Sequence, residues 1–526
     1  MDRSLSPEGN NYADTVRAAP QLDDRSMKYI LLSVLALWAC KPEPTKVPEI
    51  SDDEVISEDC ADQAVEDVIC ADPECWVVCD ADGDGYTGTI FHGDDCDDSD
   101  PSVHPNQVDA CADGIDQNCT GFDADCHPPL TEQMFSADAH IRFAGQDGVT
   151  TDLGQVTAVG HILNDEGYRD VVIDDSHIST PSNVFVYAVD STTTVLRPAD
   201  AIVQISTPED HNLGQPHLVD DVNGDGLQEL FLTANAVNDT VGAAYLIHSP
   251  LSSDSAEYQA DLTITNLPGG LSYQFTSYET GDYDNDRIPE LLLGNDDLLA
   301  VIAADQTGRF TLDEAARLTL LGARFWDSDN GKVGDLNGDG IPELGHANSD
   351  GVYLFAGDSS GSLTMDDADT SVARTAQFGG FGEYLHDGPT DFDDDGTPDL
   401  LFGGTGTYLC AGPLDGDYSV VDCLYAELPV ASAIHAGDLN TDGAPDIAIG
   451  SPDGQGSVMI FLGPVTGSLV PSDADMVLRG SGPTFGNSVR LTDIDRDGYD
   501  DLLIGDFEPI MTTGTGDAFL FYGGPL

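Results

Sequence analysis

The sequence predicts an all-β protein, a seven-bladed β-propeller preceded by a small disulfide-rich module, and three observations predict it. A unit of roughly 50 to 60 residues repeats from residue 131 to the end, the size of one propeller blade. Each unit carries an acidic loop followed at once by a short apolar run, such as Leu291-Leu292-Leu293 or Leu502-Leu503-Ile504. Ahead of the repeats, residues 60–127 hold eight cysteines and many aspartates but few large apolar residues, so disulfides, metal or both must hold that segment in place of a core.

The charge balance narrows the partners. The 96 Asp and Glu against 18 Lys and Arg give a formal charge of −78, and only four of the bases are lysines. Such a surface repels nucleic acid and anionic lipid head groups, so no nucleic-acid partner is expected. The acids recur at fixed spacings beside strand-like runs instead of forming a solvated tail, and clustered carboxylates of that kind ask for a hard cation.

The N-terminal elements follow in order. Residues 1–39 read as an extension and signal peptide with its start at Met27: Lys28 precedes the one long apolar stretch, Tyr29 to Ala39, which is too short to span a bilayer. Leu37-Trp38-Ala39-Cys40 resembles the bacterial lipobox, which implies a diacylated Cys40 at the mature N-terminus; Trp38 departs from the small residue usual there. Lys41 after the cysteine is similar to the outer-membrane sorting pattern. The expected location is therefore an exported, outer-membrane lipoprotein, periplasmic or surface-exposed, touching the membrane through its lipid anchor only. Residues 40–59 are a Pro- and acid-rich linker. Without Cys40, ten cysteines remain, eight between Cys60 and Cys126 plus the isolated pair Cys410 and Cys423, which could bridge neighbouring strands of one hairpin. In the 60–127 module, Asp80, Asp82 and Asp84 alternate ahead of Gly85, and an acidic run follows from Asp94 to Asp100. The spacings lack paired C-x-x-C knuckles, which favours disulfides over a structural zinc site.

Residues 131–526 hold the repeats. Six loops follow the pattern D-x-[DN]-x-D-[GR]-x-x-[DE]. Their candidate ligands are Asp221, Asn223, Asp225 and Glu229; Asp282, Asp284, Asp286 and Glu290; Asp335, Asn337, Asp339 and Glu343; Asp391, Asp393, Asp395 and Asp399; Asp438, Asn440, Asp442 and Asp446; and Asp493, Asp495, Asp497 and Asp501. The first, third and fifth residues supply oxygens to a tight turn, the sixth is usually Gly to permit φ > 0, and the ninth returns a carboxylate, which is the chemistry of Ca2+. One such loop alone is an ordinary Asx turn, whereas six in register form a system. In the second set Arg287 replaces the glycine, and binding is still expected there. A degenerate seventh copy offers Asn164, Asp165, Glu166 and Asp170 without a leading acid, and no calcium is expected. A Leu-Gly or Phe-Gly step recurs eight residues ahead of the loops at Leu213-Gly214 and Phe485-Gly486, and Leu153-Gly154 marks it in the degenerate copy. An Asp-Ala motif opens the blade-ending strand, as at Asp200-Ala201 and Asp473-Ala474; the final blade has no such strand of its own, and the copy at Ala137 to Phe143 is expected to fill that place beside Ala518 to Tyr522.

These features resemble the FG-GAP repeats of the integrin α-subunit propeller and its bacterial relatives. The Cys/Asp-rich segment, with Asp94 to Pro101 and Cys111 to Cys119, resembles a bacterial metal-binding motif and thrombospondin type 3 repeats, which implies calcium wrapped by carboxylates and pinned by disulfides. Gln117 and Thr120 depart from the residues usual there. The integrin resemblance implies a calcium-stabilised binding or adhesion-like scaffold that meets a protein or glycan on a propeller face or rim. No nucleophile elbow, phosphate loop or H-E-x-x-H motif occurs, and the histidines are scattered, so no catalytic residue is assigned. The alternative is a propeller enzyme acting on extracellular polysaccharide or lipid, which would need converging Lys, Arg, His or Tyr.

Overall fold

The computed structural model describes residues 82–89, 95–105, 107–110 and 115–120 and, from 130 to 524, the strands and most turns. It leaves out the segments 147–149, 151–152, 155–156, 164–166, 176–182, 207–210, 214–215, 237–241, 253–259, 268–275, 296–297, 323–328, 376–383, 452–455 and 508–514 and some single positions. The signal peptide, Cys40, the linker and Asp80 lie outside the described residues. The chain divides into two compact units, Met1–His104 and Pro105–Leu526.

The second unit contains seven β-sheets, one per blade. Blade one is Thr157–Gly160, Asp170–Asp175, Asn183–Tyr187 and Val203–Ser206, each strand antiparallel to the next. Blades two to six repeat this plan and end in Leu262–Leu267, Leu318–Leu321, Thr370–Ala373, Leu424–Leu428 and Met476–Arg479. Blade seven takes Phe485–Thr492, Asp501–Asp506 and Asp517–Phe521 from the C-terminus and its fourth strand, Ile141–Ala144, from the N-terminal end of the repeats. Ile141 pairs with Leu520 and Phe143 with Ala518, so the ring closes by the strand exchange that the repeated Asp-Ala motif predicts. Around this seam the Tyr522 N–H donates to His140 Nδ1 at 2.9 Å across 382 residues, and Arg142 pairs with Asp517 at 2.7 Å.

Blades two to seven also carry a fifth strand that sequence reading did not foresee. In blade two, Gly308–Thr311 of the following blade runs parallel to the outer strand, Leu262–Leu267, and Gln133–Phe135 covers blade six in the same way. The exposed edge of one blade is thus covered by its neighbour, which removes a template for edge-to-edge association.

Strand alternation explains the unbroken apolar runs. Leu291 and Leu293 point into a cluster shared with blade two, while Leu292 points into one shared with blade four. Likewise Leu502 and Ile504 pack on blade six and Leu503 on blade one. Period-two side chains on a strand buried on both faces give a continuous hydrophobic sequence, and seven such clusters fill the seven seams between blades. The glycine of the Phe-Gly step serves the same seams. A Cβ on Gly486 (φ 93°) would sit 2.8 Å from the Ser457 carbonyl of blade six, and one on Gly154 (φ 90°) would sit 2.7 Å from that of Asp517 in blade seven.

The motif read as the start of the blade-ending strand is instead a short 3-10 turn ahead of it, as at Pro198–Asp200 and Pro471–Asp473. Its aspartate accepts the N–H three residues back, Asp200 from Arg197 and Asp473 from Val470, both at 2.9 Å. The Cys410–Cys423 disulfide forms as expected and ties the third strand of blade five to the turn before its fourth.

Candidate metal centres on the propeller loops

The six acidic loops join the first and second strands of blades two to seven, so they gather on one face of the ring. Their backbone follows one plan. The first carboxylate folds the turn by accepting N–H groups: Asp335 Oδ1 takes those of Gly338 and Asp339 at 2.7 and 3.0 Å, and its Oδ2 takes that of Gly340 at 2.8 Å. The fifth residue accepts the N–H two further on, as Asp339 does from Ile341 at 2.9 Å. The sixth residue has positive φ throughout: Gly226 88°, Gly340 91°, Gly396 89°, Gly443 84° and Gly498 92°, with Arg287 forced into the same region at 72°. Sequence reading missed that the fourth residue does so too, although it is Asn285, Asp394, Thr441 or Arg496 in four of the loops, at 55° to 62°. Left-handed conformation at non-glycine residues costs on the order of 1 kcal/mol each, and its recurrence shows how strongly the turn is specified.

The ninth acid anchors each loop from within the ring. Glu229, Glu290, Glu343, Asp399, Asp446 and Asp501 are all at most 2% exposed. Each accepts the N–H of the second loop residue, for example Leu336 to Glu343 at 2.7 Å and Ile494 to Asp501 at 2.7 Å. Burial is the main cause that lifts Glu229, Glu290 and Glu343 to about 7 and Asp446 to about 6. In the degenerate copy Asp170 keeps this anchoring role, accepting from Ile162 and Leu163 at 3.0 and 2.8 Å, while Asn164, Asp165 and Glu166 lie outside the described residues.

Carboxylate oxygens converge in at least four of these loops. One oxygen from each of Asp221, Asp225 and Glu229 lies within 4.8 Å of the others, and so do oxygens of Asp282, Asp284 and Glu290, of Asp335, Asp339 and Glu343, and of Asp391, Asp393 and Asp399. Asp393 Oδ1 is buried with no hydrogen-bond donor. A buried, unsatisfied anionic oxygen beside two more carboxylates is costly unless a cation meets it, so the donor set fits a hard divalent ion. The loops differ in their third residue. Asn337 in blade four hands its amide to Glu343 at 2.6 Å, and Asn223 in blade two does the same to Glu229 at 2.9 Å. In blade five the third residue is Asp393, and the ninth, Asp399, receives the Tyr425 hydroxyl at 2.9 Å.

The blade-three loop has an unforeseen neighbour. Arg317 Nη2 lies 3.3 Å from Glu290 Oε1 and 3.7 Å from Asp284 Oδ2, with its Nη1 donating to the Ser359 carbonyl at 2.7 Å.

The blade-seven loop is the most enclosed. Asp495 and Asp497 are 0% and 6% exposed, because the segment ahead of the propeller lies on it: Asp109 N–H donates to the Asp497 carbonyl at 3.0 Å and Asn118 to that of Arg496. Burial, then repulsion from Asp495, pushes Asp493 to about 6, Asp497 to about 8 and Asp501 well above the carboxylate range.

In the first unit, Asp82 and Asp84 meet Asp95, whose carboxylate is 1% exposed. Asp84 Oδ2 and Asp95 Oδ2 are buried without a donor. Asp95 was not among the ligands read from sequence, although its place beside Cys96 in an acidic run was the available signal. Cys96 and Cys119 are each disulfide-bonded.

The histidines are less scattered than their numbering. His217, His435 and Arg490 line one cavity of about 280 Å3 on the innermost strands, with Asp220 and Gln228, and the His386 ring lies 5.8 Å from that of His435. No helix among the described residues is long and apolar enough to cross a membrane.

Comparison with known proteins agrees with this architecture. Residues 438–504, which span the loops of blades six and seven, match the family described as "FG-GAP-like repeat", and residues 95–125 match the "Putative metal-binding motif". Chicken integrin alpha-V is 27% identical over 316 residues, 51% of this chain and 29% of that protein. Human integrin alpha-6 is 40% identical over 78 residues, 14% and 7% of the two chains, and mouse integrin alpha-IIb 49% over 77 residues, 13% and 7%. The chain thus spans less than a third of the length of these curated relatives. The metal-binding motif and the acidic clusters together point to a metal. The protein is a seven-bladed, all-β propeller that carries FG-GAP-like repeats, is similar to the integrin α-subunits, and bears a metal-binding motif ahead of its ring.

Proposed function

We propose that the protein is a calcium-stabilised binding scaffold outside the cytoplasm. In this reading Ca2+ sits in the acidic loops of blades two, four, five, six and seven and beside Asp82, Asp84 and Asp95, fixing one face of the ring. The face or rim then presents a rigid surface to a protein or glycan partner, and a lipid on Cys40 holds the chain at an outer membrane. One observation carries the reading: the same oxygen cage recurs around the ring, anchored each time by a buried ninth acid. Oxygen-only ligands suit a hard cation, and several carboxylates with no dedicated octahedral geometry suit calcium better than magnesium. Similarity to integrin α-subunits supports a binding role, with function residing in grafted surfaces and not in the fold. The test is calorimetric titration of the chelated chain with Ca2+ and Mg2+, followed by glycan-array and candidate-protein binding in calcium and in EDTA. Preference for magnesium, or no metal uptake, refutes the calcium assignment.

The cavity holding His217, His435 and Arg490 supports the second reading, an enzyme or small-ligand site in the central channel. Turnover of a polysaccharide or lipid substrate that is lost in His435→Ala would favour it.

A further inference from the structure

We infer that the blade-three loop holds no calcium, because Arg317 supplies the positive charge that an ion brings to the other loops. This rests on the calcium reading of those loops and departs from the expectation drawn from their shared pattern. Arg317 stands just before the fourth strand of blade three. Its N–H donates to the Val301 carbonyl at 2.9 Å, and the N–H groups of Asp261, Asp369 and Asp475 make the same bond to the third strands of blades two, four and six. At those three positions the carboxylate is occupied locally, accepting the N–H of His248, Ala356 and Leu462 at 2.9 to 3.0 Å. The arginine instead reaches the loop, where its guanidinium approaches two of the three carboxylates whose oxygens converge, including Glu290, 1% exposed.

Three features of the chain agree. The guanidinium stays charged at any accessible pH and cannot step aside by deprotonation. Arg317 Nη1 is held by the Ser359 carbonyl, so withdrawing the side chain breaks a second contact. The same loop alone has Arg287 at its sixth position in place of glycine, and a second cation in the loop adds to the repulsion of an incoming divalent ion. The two guanidiniums offset half of the loop's four carboxylate charges, so this loop depends less on an ion than the others do.

The experiment counts bound calcium per full-length chain by native mass spectrometry and by elemental analysis after desalting. Glu290→Gln is expected to leave the count unchanged, while Glu343→Gln in blade four lowers it by one ion. Arg317→Met is expected to raise the count by one and to make the melting temperature more calcium-dependent than in the parent. Loss of an ion in Glu290→Gln overturns the inference, as does an Arg317→Met chain that folds in calcium yet gains none. Should Arg317→Met fail to fold, the Glu290→Gln count in the parent decides alone. A parent that binds no calcium at all refutes the proposed function instead, a result the Glu343→Gln control separates from failure here.

Discussion

Chelation is the most direct perturbation of this propeller. An ion that binds only the folded state stabilises it by RT ln(1 + [L]/Kd), about 2.7 kcal/mol for each site at a hundredfold excess over Kd. Five occupied loops then contribute about 13 kcal/mol, comparable to the whole stability of an ordinary domain. A ring of roughly 400 residues unfolds with an entropy of about 0.8 kcal/mol/K, so losing that much lowers the melting temperature by about 15 °C. Differential scanning calorimetry at low ionic strength, with calcium and with EDTA, reads the shift. Magnesium added after EDTA should restore little of it. A melting curve that EDTA leaves unmoved would refute the reasoning, since the buried acids at the loop ends would then be tolerated without any cation.

Three further outcomes follow from particular residues. In EDTA, stability should fall as the pH is raised from about 5 to about 8: burial holds Glu229 and Glu343 at about 7 in the folded chain, above their unfolded value of about 4.3, so the contribution present at low pH is lost on passing through the folded pKa. Saturating calcium should flatten that dependence, and melts at several pH values in both buffers check it. Phe143→Ala, which empties a fully buried position in the seam between blades seven and one, should cost about 3 to 5 kcal/mol in denaturant unfolding. Replacing Cys410 and Cys423 together by serine opens a loop of sequence separation 13 and should cost about 3 kcal/mol, measured the same way with and without reductant on the parent.

Much of the ring was legible because its information is local and repeated. Six loops with acids at fixed spacing declare blades whatever lies between them, and the Asp-Ala copy at Ala137 to Phe143 exposed the closure strand. What stayed hidden depends on neighbours distant in sequence. Nothing near Asp282 announces that Arg317 folds back onto Glu290, because the two are brought together through the successive pairing of the second, third and fourth strands. The enclosure of Asp495 and Asp497 comes from Asp109 and Asn118, hundreds of residues away. The fifth strand of blades two to seven is only two to four residues long, as in Gly308–Thr311, too short for any alternation to mark it. The fourth loop position escaped notice because Asn, Asp, Thr and Arg fill it in four loops, and residue identity alone did not reveal its left-handed backbone.

Closure by an N-terminal strand also sets an order of events. The residues that complete blade seven, Ile141–Ala144, leave the ribosome among the first of the ring, yet their partner strand, Asp517–Phe521, leaves among the last. Until then the early strand has no antiparallel partner. Contacts of such sequence separation make folding slow, and every earlier blade can form while the ring is still an open arc. The final step is therefore a single long-range clasp, and it is also the place where one cut, just ahead of Asp517, leaves two bare sheet edges facing each other across the gap. A chain truncated there is expected to pair with a second copy, since each arc presents the bare edges of Ile141–Ala144 and Asp501–Asp506 to its neighbour.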